Sequence, residues 1–267
     1  MELREHKSSF LVYVILRILV ILTMILQFFN KNYENVFLCI LTLLLMIIPS
    51  FIQVNFRIEL PTTLEIFMLL FIFAAEILGE ISSYYIIYPF WDTMLHTVNG
   101  FLMAAIGFGL VDVLNRNERF AFQLSPLFMA VVAFCFSMTI GVLWEFFEFG
   151  MDMFWGFDMQ KDTIIHNISS VMLNTAGENT PISIQNIESV VVNGQELGLE
   201  GYLDIGLIDT MKDLFVNFIG AIVFSIIGFI YVKQRGTGKF AKRFIPRLKK
   251  KEADFLTIVT EKCEKEF

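Results

Sequence analysis

Six residues in this 267-residue chain have the types and spacing to hold a cation. They are Asp92 with His96, Glu145 with Glu148, and Asp209 with Asp213. On a helix, residues three or four apart share one face, so each pair aims its side chains the same way. Carboxylates gathered at one depth repel unless a cation, shared protons or basic groups compensate. Basic groups near these pairs are few, namely Lys31, Lys161 and Lys212. A cation is the economical answer. Carboxylate oxygens with one imidazole suit a divalent ion such as Mg²⁺, Mn²⁺, Fe²⁺ or Zn²⁺. Glu76 and Glu80 are further candidates at the same depth. The bland reading is capping, because Asp92, Asp162 and Asp209 each precede Thr and a helical run. For any one of these residues capping suffices; the case for a site rests on their convergence.

The elements that must position them are membrane helices. Hydrophobic residues make up 56% of the chain and charged residues 18%, in blocks too long and too apolar for a soluble surface. Spans are expected at Phe10–Phe29, Phe37–Val54, Leu64–Ser82, Leu95–Leu114, Leu127–Phe149 and Leu214–Val232. Each is roughly 18–23 residues, enough for a hydrocarbon core of ~30 Å. The expected fold is therefore an all-α integral membrane bundle of about six transmembrane helices. Residues 1–232 would form the six-span domain, and 233–267 a basic cytoplasmic tail. The first span reads as a retained anchor, since no small-x-small cleavage site follows it.

Orientation comes from the cations. Arg4, Lys7, Arg57, Arg116, Arg119 and the run from Lys233 to Lys251 fall on alternate connections, so the positive-inside rule puts both termini in the cytoplasm. The net charge of −7 conceals this segregation. The acid pairs then lie at the outer ends of spans four, five and six. Trp91, Trp144 and Trp155 fall at the same interface, where indole rings prefer to sit. Arg17, inside span one, is expected to snorkel or to pair with Glu59 or Glu65. Cys39 and Cys135 lie in spans and Cys263 in the tail, so no disulfide framework is implied.

Between spans five and six lies an extracytoplasmic segment, residues 150–213. Apolar residues on helical spacing across Asp162–Asn174 suggest a short amphipathic helix. On that helix Asp162 and His166 would repeat the Asp-Thr-x-x-His spacing and could fold over the site. Asn193-Gly194 between Ile187–Val192 and Gln195–Leu199 suggests a β-hairpin with a type I′ turn. Asn167-Ile168-Ser169 matches a glycosylation sequon, a weak signal. No nucleotide-binding loop, nucleophile elbow or nucleic-acid motif is present.

Three stretches, Tyr88–Leu102, Phe136–Phe149 and Asp204–Ala221, resemble the YjdF-like family of bacterial inner-membrane proteins. The family pattern falls on Asp92 and His96, Glu145 and Glu148, and Asp209 and Asp213. The resemblance covers spans three to six and implies a bacterial cytoplasmic-membrane protein. It supplies no reaction. This chain departs from the family in a longer outer segment, roughly Met159–Glu200.

Three functions fit this reading. One is a metal-dependent membrane enzyme acting on a lipid or lipid-linked envelope substrate at the outer face. The second is an ion- or proton-coupled transporter, since acids inside membranes mark ion paths. The third is a scaffold or sensor without catalysis, whose hairpin and basic tail bind partners.

Overall fold

A computed structural model describes residues 7–55, 58–115, 124–234 and 236–248. Arg4, Arg57, Arg116, Arg119, Arg235, Cys263 and the tail beyond Leu248 lie outside the described residues. Among the described residues, five helices are long and apolar enough to cross a membrane. They are Ser8–Phe29, Tyr33–Asn55, Trp91–Asn115, Pro126–Trp155 and Leu207–Lys233.

Local chemistry sets their ends and bends. Helix α1 (Lys7–Phe29) is followed by Lys31 at φ 59 and by Asn32, whose side chain accepts the Asn35 N–H and caps α2 (Tyr33–Leu45). The second span then breaks at Met46–Ile47 before α3 (Ile48–Asn55). Pro49 stands at that break, where its missing N–H removes no bond of a continuing helix. The expected third span is helical as well, but it is divided. An α-helix, α4 (Thr62–Phe73), runs into a π-helix over Ala74–Ile81. A short α5 (Tyr84–Ile87) leads to α6 (Trp91–Asn115). Pro126 opens α7 (Pro126–Trp155), where the Ser125 hydroxyl accepts the Phe128 N–H. Helix α8 (Leu207–Lys233) starts two turns earlier than its apolar run.

The chain divides into two compact units. One comprises residues 1–141 with 216–267 and holds two apolar clusters. Leu16, Val20, Cys39, Met46, Leu69 and Ile77 form the smaller. The larger is built on Leu64, Leu102, Phe108, Met129 and Phe224. Helices α6 and α8 approach closely at two glycines. A methyl group at Gly100 would overlap the Asn217 carbonyl, and one at Gly220 would overlap the Thr97 carbonyl. Arg17 donates to the Tyr13 hydroxyl at 2.6 Å and to the Leu43 carbonyl at 3.5 Å. The expected acidic partner Glu65 instead accepts from Gln53 at 3.4 Å. An arginine one turn from a tyrosine finds its acceptor on its own helix.

Ala241, Phe244 and Ile245 belong to this unit's core. Strand β8 (Arg247–Leu248) pairs antiparallel with β1 (Ile58–Glu59). Phe244 is buried and its ring meets those of Phe67, Phe101, Phe224 and Phe240 at centroid distances of 5.8, 5.1, 6.5 and 5.2 Å. Pro246 packs on Gly109, which leaves no room there for a side chain.

The other unit, residues 142–215, contains the expected outer segment. The amphipathic helix expected at Asp162–Asn174 does not form. The segment is instead β2 (Ile164–Ile165), β3 (Ile168–Ser170) and a 3₁₀ turn at Val171–Leu173. β2 pairs with β7 (Tyr202–Leu203), and β3 pairs with β4 (Ile182–Ile184). β-branched isoleucines suit these strands better than a short helix without tertiary support. The hairpin does form, as β5 (Val191–Val192) and β6 (Gln195–Glu196). Its turn residues Asn193 and Gly194 have φ 52 and 80, as type I′ requires.

Candidate functional site

Each of the three site-bearing helices has a buried stripe that changes character along its length. On α7 the stripe runs Met129, Ala133, Ser137, Gly141, then Glu145 and Glu148. On α8 it runs Phe224, Ala221, Asn217, then Asp213 and Asp209. On α6 it runs Phe108, Ala104 and Gly100 to His96. Spacings of three and four keep these positions on one helix face. The face that packs the bundle is therefore the face that presents the acids. Burying charged groups is costly unless they are paired or hydrogen-bonded.

One turn in from the acids, polar groups lock the helices. The Asn99 side-chain amide donates to Asn217 Oδ1 at 3.2 Å. The Ser137 hydroxyl donates to the Gly100 carbonyl at 2.8 Å. Gly141 lies against the Asn217 amide, so a methyl there would crowd it.

The ligand atoms fall into two overlapping groups. Asp92, His96 and Asp213 form one; His96, Glu145 and Glu148 form the other. In each, one potential ligand atom per residue lies within 4.8 Å of the others. His96, Glu145, Glu148 and Asp213 are all buried, and Asp92 is half-buried. His96 Nε2 stands 3.5 Å from Asp92 Oδ1, one turn back on the same helix. A carboxylate facing an imidazole nitrogen helps to set the orientation of the ring. Five of the six expected residues are thus brought together, in groups that could hold a metal ion.

Asp209 is in neither group. Its Oδ2 accepts the Lys161 backbone N–H at 2.9 Å, and Lys212 Nζ is 3.9 Å from its Oδ1. It ties the loop after α7 to the first turn of α8. Neighbouring bonds hold the loop to both helices. Gln160 Nε2 donates to the Thr210 hydroxyl at 2.6 Å, and Asp152 accepts the Met159 and Gln160 N–H groups at 2.6 and 2.8 Å. The capping role falls to Asp204. It accepts the Ile208 N–H and the Thr163 N–H, both at 2.7 Å. Asp92 and Asp209 lie inside the first helical turn, where their charge also meets the positive helix end.

The remaining candidates lie elsewhere. Glu76 and Glu80 are in the π-helix and in neither ligand group. That element gives the Trp91 indole an acceptor, the Ala74 carbonyl, at 3.3 Å. His166 is not on a helix with Asp162; its Nδ1 lies 3.0 Å from the Ile187 carbonyl, across the loop. Sequence reasoning placed Trp144 only as an interface residue. Its Nε1 donates to Glu148 Oε1 at 2.8 Å. The i,i+4 spacing of Trp144 and Glu148 was the signal for that bond.

Long apolar helices with polar stripes define a multi-pass helical membrane protein. The chain belongs to the family described as predicted membrane proteins (DUF2238), whose profile matches residues 11–234, in keeping with the YjdF-like resemblance. No curated protein and no solved structure matches it.

Proposed function

We propose that this protein is a metal-dependent membrane enzyme, with a divalent cation held by His96, Glu145 and Glu148 and by Asp213. The observation that carries the reading is the buried His96–Glu145–Glu148 group, whose ligand atoms lie within 4.8 Å. Mixed nitrogen and oxygen donors suit Zn²⁺, Mn²⁺ or Fe²⁺; Mg²⁺ fits the oxygens alone. Such an ion would polarise a phosphoryl or carbonyl oxygen or lower the pKa of a water. Asp92 would orient His96. Asp213, grouped with His96 and Asp92, would serve as a further ligand or as a base.

The positive-inside pattern supports an outer-face site, with both termini cytoplasmic. A site one or two turns below an interface suits the head group of a lipid or a lipid-linked envelope precursor. The bilayer itself is the protein's principal partner on this reading. A transporter is the second reading, because Asp112 is also buried on α6. The stretch between His96 and Asp112 opposes it, since Leu102 to Gly109 offers only apolar or small side chains.

The test is the metal content of purified, detergent-solubilised protein by mass spectrometry, beside Glu145→Gln/Glu148→Gln. A near-stoichiometric ion in the parent, lost in the folded double variant, supports the site. No ion in the parent after soaking with divalent cations removes the enzyme reading.

A further inference from the structure

We infer that Trp144 is a positioning residue for Glu148, so that an indole at the surface of α7 sets how tightly the proposed centre holds its ion. The inference rests on the metal reading above. Trp144 lies one turn before Glu148, and its Nε1 donates to Glu148 Oε1 at 2.8 Å. Glu148 is 8% exposed and Trp144 is 43% exposed. The indole therefore bridges the open surface of α7 and a carboxylate on its buried stripe. The Phe147 ring, 5.3 Å away by centroid and tilted by 35°, packs beside it.

The polarity of this bond is fixed, because an indole can only donate. Oε1 must therefore present a lone pair to it and cannot carry a proton on that side. One oxygen of Glu148 is thereby engaged by the indole, on a carboxylate that belongs to the His96–Glu145–Glu148 group. The indole sets the plane of that carboxylate from behind. Partners behind a ligand raise metal affinity, typically ~10–100-fold, by orienting the first group. An ordinary interfacial tryptophan needs no such acceptor, since its N–H meets water or lipid head groups.

The arrangement also makes Trp144 a reporter. When a cation draws charge from Glu148, the acceptor of the indole N–H changes, and so must the emission of that indole. Trp91 and Trp155 are the other two indoles. A Trp91→Phe/Trp155→Phe background leaves Trp144 as the sole one.

The experiment titrates Mn²⁺ and Zn²⁺ into the full-length, detergent-solubilised parent, Trp144→Phe and the sole-tryptophan protein. Bound metal and indole emission are both followed, along with the melting temperature of the ion-free proteins. The expected result is binding to Trp144→Phe that is ~10–100-fold weaker at an unchanged ion-free melting temperature. In the sole-tryptophan protein the emission should change and saturate with the bound metal. Equal affinity in parent and Trp144→Phe overturns the inference and leaves the metal reading standing. An emission that ignores bound metal in the sole-tryptophan protein does the same, and it decides the matter if Trp144→Phe does not fold. A parent that binds neither ion overturns both.

Discussion

The Asn99 side chain donates to Asn217 at 3.2 Å, joining α6 to α8 one turn in from the acid-bearing ends. Asn217 is fully buried, and its amide also contacts the Met138 sulfur at 3.6 Å. Removing it takes the acceptor from the half-buried Asn99 amide. Asn217→Ala is expected to destabilise the protein by ~1–3 kcal/mol, seen as a lower thermal midpoint in detergent. An unchanged midpoint would mean that the pair contributes nothing.

The glycines should separate by what surrounds them. Gly100→Ala and Gly220→Ala press a methyl onto backbone carbonyls of the facing helix, which cannot swing aside. Each is expected to cost ~1–3 kcal/mol through forced helix separation. Gly150→Ala on α7 meets nothing within 4 Å. It should be neutral or stabilising by up to ~1 kcal/mol, the helix-propensity difference. The same denaturation assay on all three variants tests the contrast, and equal effects would refute it.

Phe244→Ala should be among the most damaging single changes, at ~3–5 kcal/mol. It empties a position that four other rings surround. Phe240→Ala, at a position 53% exposed, serves as the control and should lose far less. Equal loss at both positions would show that the 240–248 segment is only loosely held.

Acidity should tighten the loop after α7. Burial, then the negative charges of Asp158, Asp204 and Asp152, push the Asp162 carboxyl above the ordinary aspartate value, while the Gly206 backbone N–H opposes them. An acid whose folded pKa is raised takes up its proton more readily folded than unfolded. The loop's stability therefore rises as pH falls through the raised pKa, and the penalty is full above it. Asp162→Asn should mimic the protonated state. Amide-exchange protection factors for residues 162–170 are expected to be higher in Asp162→Asn at neutral pH, with the gap closing in mild acid. A gap that does not change with pH would refute the assignment.

Much of this was legible because membrane helices announce themselves by length and apolar run. The i,i+3 and i,i+4 spacings of the acids carried Glu145, Glu148, His96 and Asp213 onto buried stripes, as helical periodicity requires. Asn193-Gly194 named its own turn. Other features were less legible. Ile164, Ile165, Ile168 and Val171 fit a helical period over too short a window, and only their pairing with residues 182–184 and 202–203 decides for strand. The π-helix at Ala74–Ile81 depends on a one-residue shift in hydrogen bonding that no side-chain pattern in that stretch encodes. Asp209 has the right spacing from Asp213, yet the Lys161 N–H takes it, a partner that only tertiary folding brings near. Phe244 and Ile245 looked like part of a basic tail, because positive neighbours hid two core residues.

The pairing of Ile58–Glu59 with Arg247–Leu248 fixes an order of events during biosynthesis. A ribosome makes β1 early and β8 after every spanning helix. Strand β1 must therefore wait, its edge open, while α4, α6, α7 and α8 are threaded into the bilayer. Helix insertion can proceed segment by segment, but this high-contact-order closure cannot. The last described residues of the chain act as a latch, and a nascent protein stalled short of Phe244 would hold all its helices in place with the core of its larger unit still ajar.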